Sequence, residues 1–311
     1  MIAMKFKGSR IVVTGAAGFI GSHLVKKLVD LDAEVIAVDD FSIGTRDNLK
    51  EFKGELLEID VCNRDLGSRI RGEIDAIFHF GAPSSVILFN KNPLKRFEDT
   101  TIGFLNIMEL AKQKHVEKVV YPSSGSVYGK IPPPQSESSG NDPVNLYGVS
   151  KLVCEQIAKL YQSKVDNTGL RIFAGYGPGE DHKGEIASPV TIFLKAIMKG
   201  ERPVIYGDGS QSRDFVYIDD IVTAIIKCAE TKSLPILNVG SGRTCTFNNV
   251  VALINGLLGK DIKPEYVEKP AEYLERTQAD TTLLNRILGV KPMDVGEGLR
   301  AYINFIEGHP H

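Results

Sequence analysis

Short apolar runs rich in β-branched residues alternate with longer stretches of helical hydrophobic spacing through the first half of the chain. The first run covers residues 11–13 and breaks at Gly15, and a helical pattern from Phe19 to Leu28 follows it. Further runs lie at residues 34–38, 55–59, 75–80 and 118–121, and a helical pattern at residues 104–110 precedes the last of them. This alternation predicts a βαβ series, and therefore an α/β fold with a doubly wound parallel sheet.

The turn after the first run carries three glycines, Gly15, Gly18 and Gly21, with the spacing G-x-x-G-x-x-G. Such a turn directs backbone N–H groups and the positive end of a helix dipole towards one point, which suits the pyrophosphate of a dinucleotide. Gly15 can make the turn, Gly18 leaves room for the phosphate, and Gly21 lets the helix pack close to its strand. Glycine turns join many other strands and helices, so the spacing alone is a weak signal.

The second run ends in Asp39, about 20 residues after the glycines, where a carboxylate would accept hydrogen bonds from the adenosine ribose hydroxyls. No arginine or lysine follows Asp39 until Arg46, so a 2′-phosphate would meet repulsion without compensation. The residues therefore favour NAD over NADP. The alternative is that Asp39 is a solvated residue that only caps a turn.

Polar or glycine residues also end the other runs, at Asp60, at residues 80–82 and at Ser123 and Ser124. Ligands of doubly wound sheets bind at the carboxyl ends of the strands, so these residues and Asp39 are expected to converge on one crevice. Each polar residue could instead cap a helix, which is the commoner role of Ser and Asp at such positions.

Tyr147 and Lys151 lie four residues apart, at the start of a helix that follows a loop rich in Pro, Ser, Gly and Asn at residues 130–145. The apolar face of this helix is expected to carry Leu152, Val153, Ile157, Leu160 and Tyr161. An ammonium near a phenol stabilises the phenolate and lowers the pKa of the tyrosine. With Ser124 in the same crevice, Tyr147 is predicted to be the acid and base, and Lys151 also to hold the nicotinamide ribose. A Tyr-x-x-x-Lys match by itself is expected about once by chance in this chain.

Length and composition point to a soluble enzyme-like chain with a small-molecule partner. The 311 residues suggest about two domains, and a net charge of −2 without a long basic run favours neither nucleic acid nor a membrane surface. Residues 1–9 contain no signal-type apolar segment and no run is long enough to span a bilayer, so we expect a cytoplasmic protein. The four cysteines are scattered, so we expect neither a metal ion nor disulfides.

Taken together, these motifs resemble the extended short-chain dehydrogenase/reductase family, within its branch of nucleotide-sugar epimerases and dehydratases. The resemblance covers nearly the whole chain and continues through residues 170–178, 205–220 and 237–242. It implies a Rossmann-like NAD-binding domain at residues 1–173, to which a segment at about 212–240 returns, and a smaller α/β domain for the nucleotide sugar, mainly at residues 174–311. Relatives often dimerise through two long helices, near residues 97–114 and 147–163 here, so a homodimer is expected.

The resemblance also implies which residues bind the ligands. The catalytic residues are Ser124, Tyr147 and Lys151. The cofactor-binding residues are Gly15, Gly18, Phe19, Ile20, Gly21, Asp39, Asp40, Phe41, Ser42, Gly44, Asp60, Val61, Phe80, Gly81, Ala82, Thr100, Ser123, Tyr147, Lys151 and Phe173. The substrate-binding residues are Ser84, Ser85, Ser124, Ser126, Tyr147, Ala174, Arg213, Lys269 and Arg276, with Arg213 as the diphosphate ligand.

The residue after Ser124 separates the reactions of this branch. Dehydratases and decarboxylases that resemble this chain carry a Glu close behind the catalytic Ser or Thr, whereas this chain has Gly125 and Ser126. The small residues are similar to those of 4-epimerases of UDP-hexoses, which implies redox-neutral 4-epimerisation of a nucleotide sugar through a 4-keto intermediate. The alternatives are a dehydrogenase or reductase that releases NADH, and a dinucleotide-binding protein without activity.

Several positions depart from the 4-epimerase pattern. Ala174 stands where an Asn commonly contacts the diphosphate, and a lysine at position 269, followed by Glu272, replaces an arginine that bonds bidentately. Arg276 could substitute for that arginine, and Thr100 aligns with a common Asn near the nicotinamide. Two further residues have a simple structural interpretation, since His79 on a strand and Tyr128 are expected to pack in the core rather than to react.

Overall fold

The structure is a computed structural model, and it describes residues 4–269 and 274–308. Its strands are β1 (Arg10–Thr14), β2 (Glu34–Asp39), β3 (Glu55–Glu58), β4 (Ala76–His79), β5 (Lys118–Ser124), β6 (Asp166–Ile172), β7 (Ala174–Tyr176), β8 (Val204–Tyr206), β9 (Ser212–Arg213), β10 (Phe215–Tyr217), β11 (Ile236–Val239), β12 (Cys245–Thr246) and β13 (Glu265–Val267). Its α-helices are α1 (Phe19–Asp30), α2 (Leu66–Arg69), α3 (Val86–Lys91), α4 (Pro93–Gln113), α5 (Leu146–Tyr161), α6 (Pro189–Lys199), α7 (Ile218–Glu230), α8 (Phe247–Leu258) and α9 (Val295–Gly308). Short helical turns are Arg46–Leu49, Gly125–Val127, Asp181–Ile186 and Leu284–Leu288.

A seven-stranded sheet with the order β11-β6-β5-β4-β1-β2-β3 forms the centre of the fold. Each neighbouring pair of its strands is parallel. The direction of winding reverses between β1 and β4, so the carboxyl ends of these two strands flank the crevice in which doubly wound sheets bind their ligands. The predicted α/β class with a Rossmann-like sheet is therefore confirmed.

Alternate residues of the central strands belong to two separate cores. Ile11 and Val13 of β1 lie in a core that also contains Leu24 of α1, whereas Val12 lies in a core with Ile107 of α4. Successive side chains of a strand point to opposite faces of the sheet, so both faces of β1 are covered by helices. This double coverage is the reason that the run at residues 11–13 is apolar without a break.

The part of the chain after β6 contains small paired strands and the helices α6, α7, α8 and α9. β7 pairs with β10, β8 with β13 and β9 with β12, while α6 packs against α8. β11 leaves this part and adds a parallel edge strand to the large sheet beside β6. The proposed domain boundary at residue 173 stays a prediction, and so does the return of residues 212–240 to the NAD-binding domain.

Two elements differ from the expected pattern. β5 continues through Pro122 to Ser124, because its pairing with β6 extends to the register pair of Ser124 with Ile172. Helix α5 buries the apolar face that its sequence suggests only in part, since Leu152, Ile157 and Tyr161 pack against the cores whereas Leu160 is 75% exposed. The side chains that α5 turns inwards are Tyr147, Ser150, Lys151, Cys154 and Ala158. Of these, Tyr147 and Lys151 line the cavity described below.

Candidate active site

The glycine turn between β1 and α1 brings three backbone segments into close contact. A Cβ on Gly15, whose φ is +66°, would lie 2.4 Å from the carbonyl of Phe80, and a Cβ on Gly21 would lie 1.9 Å from the carbonyl oxygen of Gly15. Gly18 is the N-cap of α1, and a Cβ there would meet only the Gly15 carbonyl oxygen, at 3.2 Å. The N-terminus of α1 therefore lies uncovered by side chains, as a bound pyrophosphate requires.

Asp39 lies at the carboxyl end of β2, beside this turn, and is 7% exposed. Its carboxylate accepts hydrogen bonds from the N–H groups of Ala17 at 2.9 Å and Phe41 at 2.8 Å. Burial raises the pKa of Asp39, and the two backbone N–H groups oppose this effect. Asp39 thus stabilises the loop and the glycine turn, as the capping alternative supposes, and it also lines the cavity described below.

A cavity of about 760 Å³ follows the carboxyl ends of the strands. Its volume lies within the range of small-molecule sites, about 300–1,000 Å³. The predicted residues that line it are Gly15, Gly18, Phe19, Ile20, Gly21, Asp39, Asp40, Ser42, Gly44, Asp60, Val61, Phe80, Gly81, Ala82, Ser84, Ser85, Ser123, Ser124, Ser126, Tyr147, Lys151, Phe173, Ala174 and Arg213. The convergence expected of separate strand ends is thus present in one cavity.

Two predicted cofactor residues, Phe41 and Thr100, are not among the residues that line this cavity. The ring of Phe41 lies under the guanidinium of Arg46, 4.1 Å from its carbon atom. Thr100 is 1% exposed, and its hydroxyl donates to the carbonyl of Arg96 at 2.8 Å. The preceding residue, Asp99, does line the cavity.

Two predicted substrate residues, Lys269 and Arg276, do not line the cavity either. The ammonium of Lys269 forms an ion pair with Glu275. The guanidinium of Arg276 donates to the side-chain oxygen of Gln278 at 2.6 Å. Leu274 and Thr277, from the same segment, line the cavity instead. Glu272 lies outside the described residues.

Ser124, Tyr147 and Lys151 come together at the end of β5 and the start of α5. The Ser124 hydroxyl accepts a hydrogen bond from the N–H group of Ser126 at 3.1 Å, which orients it at the strand end. The same hydroxyl is hydrogen-bonded to the phenol of Tyr147. The Lys151 ammonium lies 5.9 Å from the centre of the Tyr147 ring, and its side chain is almost fully buried. The geometry therefore fits the roles that the sequence suggests.

The protonation of the pair differs from the expectation. Burial raises the pKa of Tyr147, and the hydrogen bond with Ser124 only partly opposes this effect. Burial lowers the pKa of Lys151. The expected lowering of the tyrosine pKa by the lysine is thus not found, because loss of contact with water dominates the shift of the Tyr147 pKa.

The comparisons with known proteins fit this geometry. Residues 11–240 match the model of the NAD dependent epimerase/dehydratase family. The chain belongs to this family. The UDP-glucose 4-epimerase of Mycolicibacterium smegmatis is 33% identical over 95% of this chain and 98% of its own length. The UDP-glucuronic acid decarboxylase 6 of Arabidopsis thaliana is 31% identical over 93% of this chain and 86% of its own.

Solved structures of epimerases have the same fold as this family member. The UDP-glucose 4-epimerase of Thermotoga maritima with UDP-glucose superposes with a TM-score of 0.92, at 30% identity over 97% of this chain and 100% of the other. The UDP-N-acetylglucosamine 4-epimerase of Methanobrevibacter ruminantium, in complex with UDP-N-acetylmuramic acid, has a TM-score of 0.90 at 32% identity, over 97% and 99%. The UDP-glucuronic acid 4-epimerase of Bacillus cereus, with UDP-glucuronic acid and NAD, has a TM-score of 0.86 at 26% identity, over 96% and 99%.

The residues of this chain fit the cofactor of the family, NAD. Three features support the fit: the uncovered N-terminus of α1 at Gly18, the carboxylate of Asp39 at the end of β2, and the buried Lys151. Among the described residues, no hydrogen bond or ion pair to the Lys151 ammonium is found. A buried ammonium needs acceptors, and the ribose hydroxyls of a dinucleotide would supply them.

Sequence reasoning missed one side of the cavity, formed by residues 180–189. Glu180 is fully buried and accepts hydrogen bonds from the Thr191 hydroxyl at 2.5 Å and the Lys183 ammonium at 2.6 Å. Lys183 also lies 4.9 Å from the centre of the Phe19 ring, next to the glycine turn. The segment has no regular hydrophobic period, and the only sequence signal is its position after the matched residues 170–178.

His79 and Tyr128 pack in the core, as their simple interpretation supposes. His79 is 2% exposed, its Nδ1 lies 2.8 Å from the Thr14 hydroxyl, and burial lowers the pKa of its imidazole to about 3. Tyr128 is fully buried.

Asp60, Cys62 and Asp99 form a cluster of possible metal ligands, of which Asp60 and Asp99 line the cavity. The ammonium of Lys95 lies 2.5 Å from Asp99, and burial with the nearby carboxylates raises the pKa of the Cys62 thiol to about 12. A lysine within reach and a protonated thiol disfavour a metal ion, and the absence of a metal stays a prediction. No helix in the described part of the chain has both the length and the hydropathy needed to cross a membrane.

Proposed function

We propose that this enzyme interconverts the 4-epimers of a UDP-sugar of the UDP-glucose and UDP-galactose type, without net oxidation or reduction. One observation carries the choice among the reactions of the family. The position after Ser124 is Gly125, and a Cβ there would lie 3.2 Å from the Phe173 ring. The ring thus disfavours a larger side chain at position 125, and neither Gly125 nor Ser126 supplies the carboxylate that elimination of water requires at this place.

Each residue of the site has a defined role in this reaction. Tyr147 removes the proton from the sugar 4-hydroxyl and later returns it, while the Ser124 hydroxyl holds the same oxygen. Lys151 binds the ribose beside the nicotinamide and keeps a positive charge close to the phenol. When bound, NAD supplies a hydride acceptor and a positively charged ring. The positive charges of Lys151 and of the nicotinamide ring favour the phenolate, and this effect opposes that of burial on the Tyr147 pKa.

The substrate is proposed from the sugar-nucleotide side of the cavity. Arg213 lines it and lies with its guanidinium carbon 5.6 Å from the centre of the Phe247 ring. A guanidinium held in this way suits a diphosphate, which it can bind through two parallel hydrogen bonds. Tyr206 and Phe193 also line this side and offer apolar surfaces to a base. UDP is chosen because the relatives named above carry it in their names.

We further propose that the protein is a homodimer formed through α4 and α5. The outer faces of these helices expose Ile102 (43%), Leu146 (48%) and Leu160 (75%). Apolar residues on neighbouring helices are expected to be covered by a partner, and a second copy would cover both helices at once. Sedimentation of the purified protein tests this, and a monomer at micromolar concentration would contradict it.

The first experiment uses the purified protein without added cofactor. UDP-glucose, UDP-N-acetylglucosamine and UDP-glucuronate are incubated separately and their products separated by sugar-resolving chromatography. We expect the 4-epimer of one of them, without net NADH absorbance. Tyr147→Phe should abolish the conversion and leave NAD bound.

Other outcomes separate the alternatives. Accumulation of NADH with an oxidised sugar would establish a dehydrogenase. No conversion of any sugar nucleotide, with NAD still bound, would favour a binding protein. Unreduced activity of Tyr147→Phe would remove the catalytic assignment.

A further inference from the structure

Glu155 joins the two elements that carry the candidate catalytic residues. It lies on α5, one helical turn after Lys151. Its carboxylate accepts two hydrogen bonds from Arg171 of β6, at 2.9 and 2.8 Å, and a third from the hydroxyl of Ser123 on β5. Ser123 directly precedes Ser124, so the carboxylate connects the helix of Tyr147 and Lys151 with the strand end of Ser124.

Arg171 also contacts the ring of Tyr128. Its guanidinium carbon lies 4.7 Å from the centre of the Tyr128 ring, and its side chain is 4% exposed. The hydroxyl of Tyr128 donates to the side-chain oxygen of Asn238, on β11, at 2.7 Å. The Arg171 guanidinium therefore contacts both Glu155 of helix α5 and the ring of Tyr128, whose hydroxyl is hydrogen-bonded to the edge strand β11.

Asn238 in turn contacts segments that lie near the substrate side of the cavity. Its amide nitrogen donates to the carbonyls of Gln135 at 2.9 Å and Asp280 at 3.2 Å. Gln135 in turn pairs with the segment 278–280 through its N–H group, its carbonyl and its side chain, at 2.7 to 3.0 Å. Leu274 and Thr277, just before that segment, line the cavity.

We propose that Arg171 is a positioning residue of this site. Through Glu155 it sets the distance between Ser124 and Tyr147, and through Tyr128 and Asn238 it holds residues 274–280 at the substrate side. The proposal rests on the proposed function, because it concerns the geometry of the site assigned to epimerisation.

A purely stabilising role accounts poorly for this arrangement. A buried ion pair contributes little net stability compared with apolar residues of the same shape, because both charges lose their water. A second ion pair joins β5 and β6 at their other ends, where the Lys118 ammonium lies 3.1 Å from Asp166, whose side chain is 22% exposed. That pair is remote from the cavity, which lies at the carboxyl ends of the strands. It therefore offers a matched control.

The first test compares Glu155→Gln with Asp166→Asn in the full-length protein. Each change neutralises the carboxylate of an ion pair: Glu155 of α5 pairs with Arg171 of β6, and Asp166 of β6 pairs with Lys118 of β5. We expect Glu155→Gln to lower kcat about 10- to 100-fold with KM nearly unchanged, because a displacement of about 1 Å at reacting groups has effects of this size. Asp166→Asn should keep kcat within about twofold of the wild type. If Glu155→Gln does not fold, Arg171→Lys keeps the charge and removes the bidentate contact.

The second test compares Tyr128→Phe with Tyr176→Phe. Each removes one hydroxyl from a buried tyrosine, and within the described residues the Tyr176 hydroxyl donates a hydrogen bond to the carbonyl of Val295 at 3.3 Å. We expect Tyr128→Phe to raise the KM for the nucleotide sugar about 3- to 10-fold with a smaller change in kcat. The amides of Gln278 and Asp280 should exchange with deuterium faster than in the wild type, and Tyr176→Phe should leave them unchanged.

The outcomes decide the positioning role and the proposed function separately. Equal kcat in Glu155→Gln and Asp166→Asn, with similar melting temperatures, would overturn the role of the ion pair. Unchanged amide exchange at residues 278–280 in Tyr128→Phe would overturn the connection to the substrate side. If the wild type converts no UDP-sugar, the proposed function fails, and the exchange measurement alone still decides whether the connection exists.

Discussion

Replacing Gly15 by alanine tests whether the turn is shaped by backbone contacts or only by the freedom of glycine. Gly15 has a φ of +66°, where an alanine costs about 1–2 kcal/mol. Its new Cβ would also lie 2.4 Å from the Phe80 carbonyl and 2.5 Å from the N–H nitrogen of Gly81. Both contacts are backbone atoms at the end of β4, so relief requires β1 and β4 to separate.

Gly200, at the C-terminus of α6, separates the two contributions. Its φ is +81°, and a Cβ there would meet nothing within 4 Å. Gly200→Ala should therefore lose only the conformational part, about 1–2 kcal/mol. Gly15→Ala should lose that amount and a further 1–3 kcal/mol or so for the forced backbone shift.

The assay is denaturant unfolding of both variants, together with NAD binding by calorimetric titration. We expect Gly15→Ala to be the less stable of the two and to lose measurable NAD affinity, while Gly200→Ala binds NAD as the wild type does. Equal unfolding midpoints and equal NAD affinity would refute the argument that close backbone approach shapes this turn.

Three further outcomes are expected. Asp39→Ala should weaken NAD binding about 10- to 100-fold without creating affinity for NADP, measured by the same titration, because a charged acceptor is lost and no cation is added; unchanged NAD affinity would reduce Asp39 to its capping role. Arg213→Lys should raise the KM for the nucleotide sugar about tenfold with kcat little changed, since lysine cannot bond bidentately, and an unchanged KM would exclude Arg213 as the diphosphate ligand. Burial lowers the pKa of His79 in the folded protein to about 3, below the ordinary value of 6.5. The unfolded chain therefore binds a proton at a higher pH than the folded protein does, and the free energy of unfolding should fall as the pH decreases from about 6.5 towards 3. Urea unfolding at a series of pH values should show a smaller loss in His79→Gln, and equal slopes would contradict this.

Much of the cofactor-binding side of the site, at the carboxyl ends of β1 and β2, could be predicted from the sequence. The apolar runs, the glycine turn and Asp39 depend on local rules of strand period, backbone freedom and turn chemistry, and they place their residues at the strand ends. Asp99 lines the cavity and Thr100 does not, because a helix turns by about 100° per residue and neighbouring residues therefore face different directions. Lys269 and Arg276 lie in a segment without regular period, where side-chain direction depends on partners distant in the chain.

The sequence by itself determined the alternation of strands and helices in the first half of the chain, the class of sheet, the family and the meeting of Ser124, Tyr147 and Lys151, because each follows from local spacing or from matched motifs. Only the tertiary structure decided that burial raises the pKa of Tyr147, that residues 180–189 close one side of the cavity, and that Arg171 reaches Glu155 and Tyr128 together. These features depend on contacts between residues far apart in the chain and on exclusion of water, and no local pattern records either.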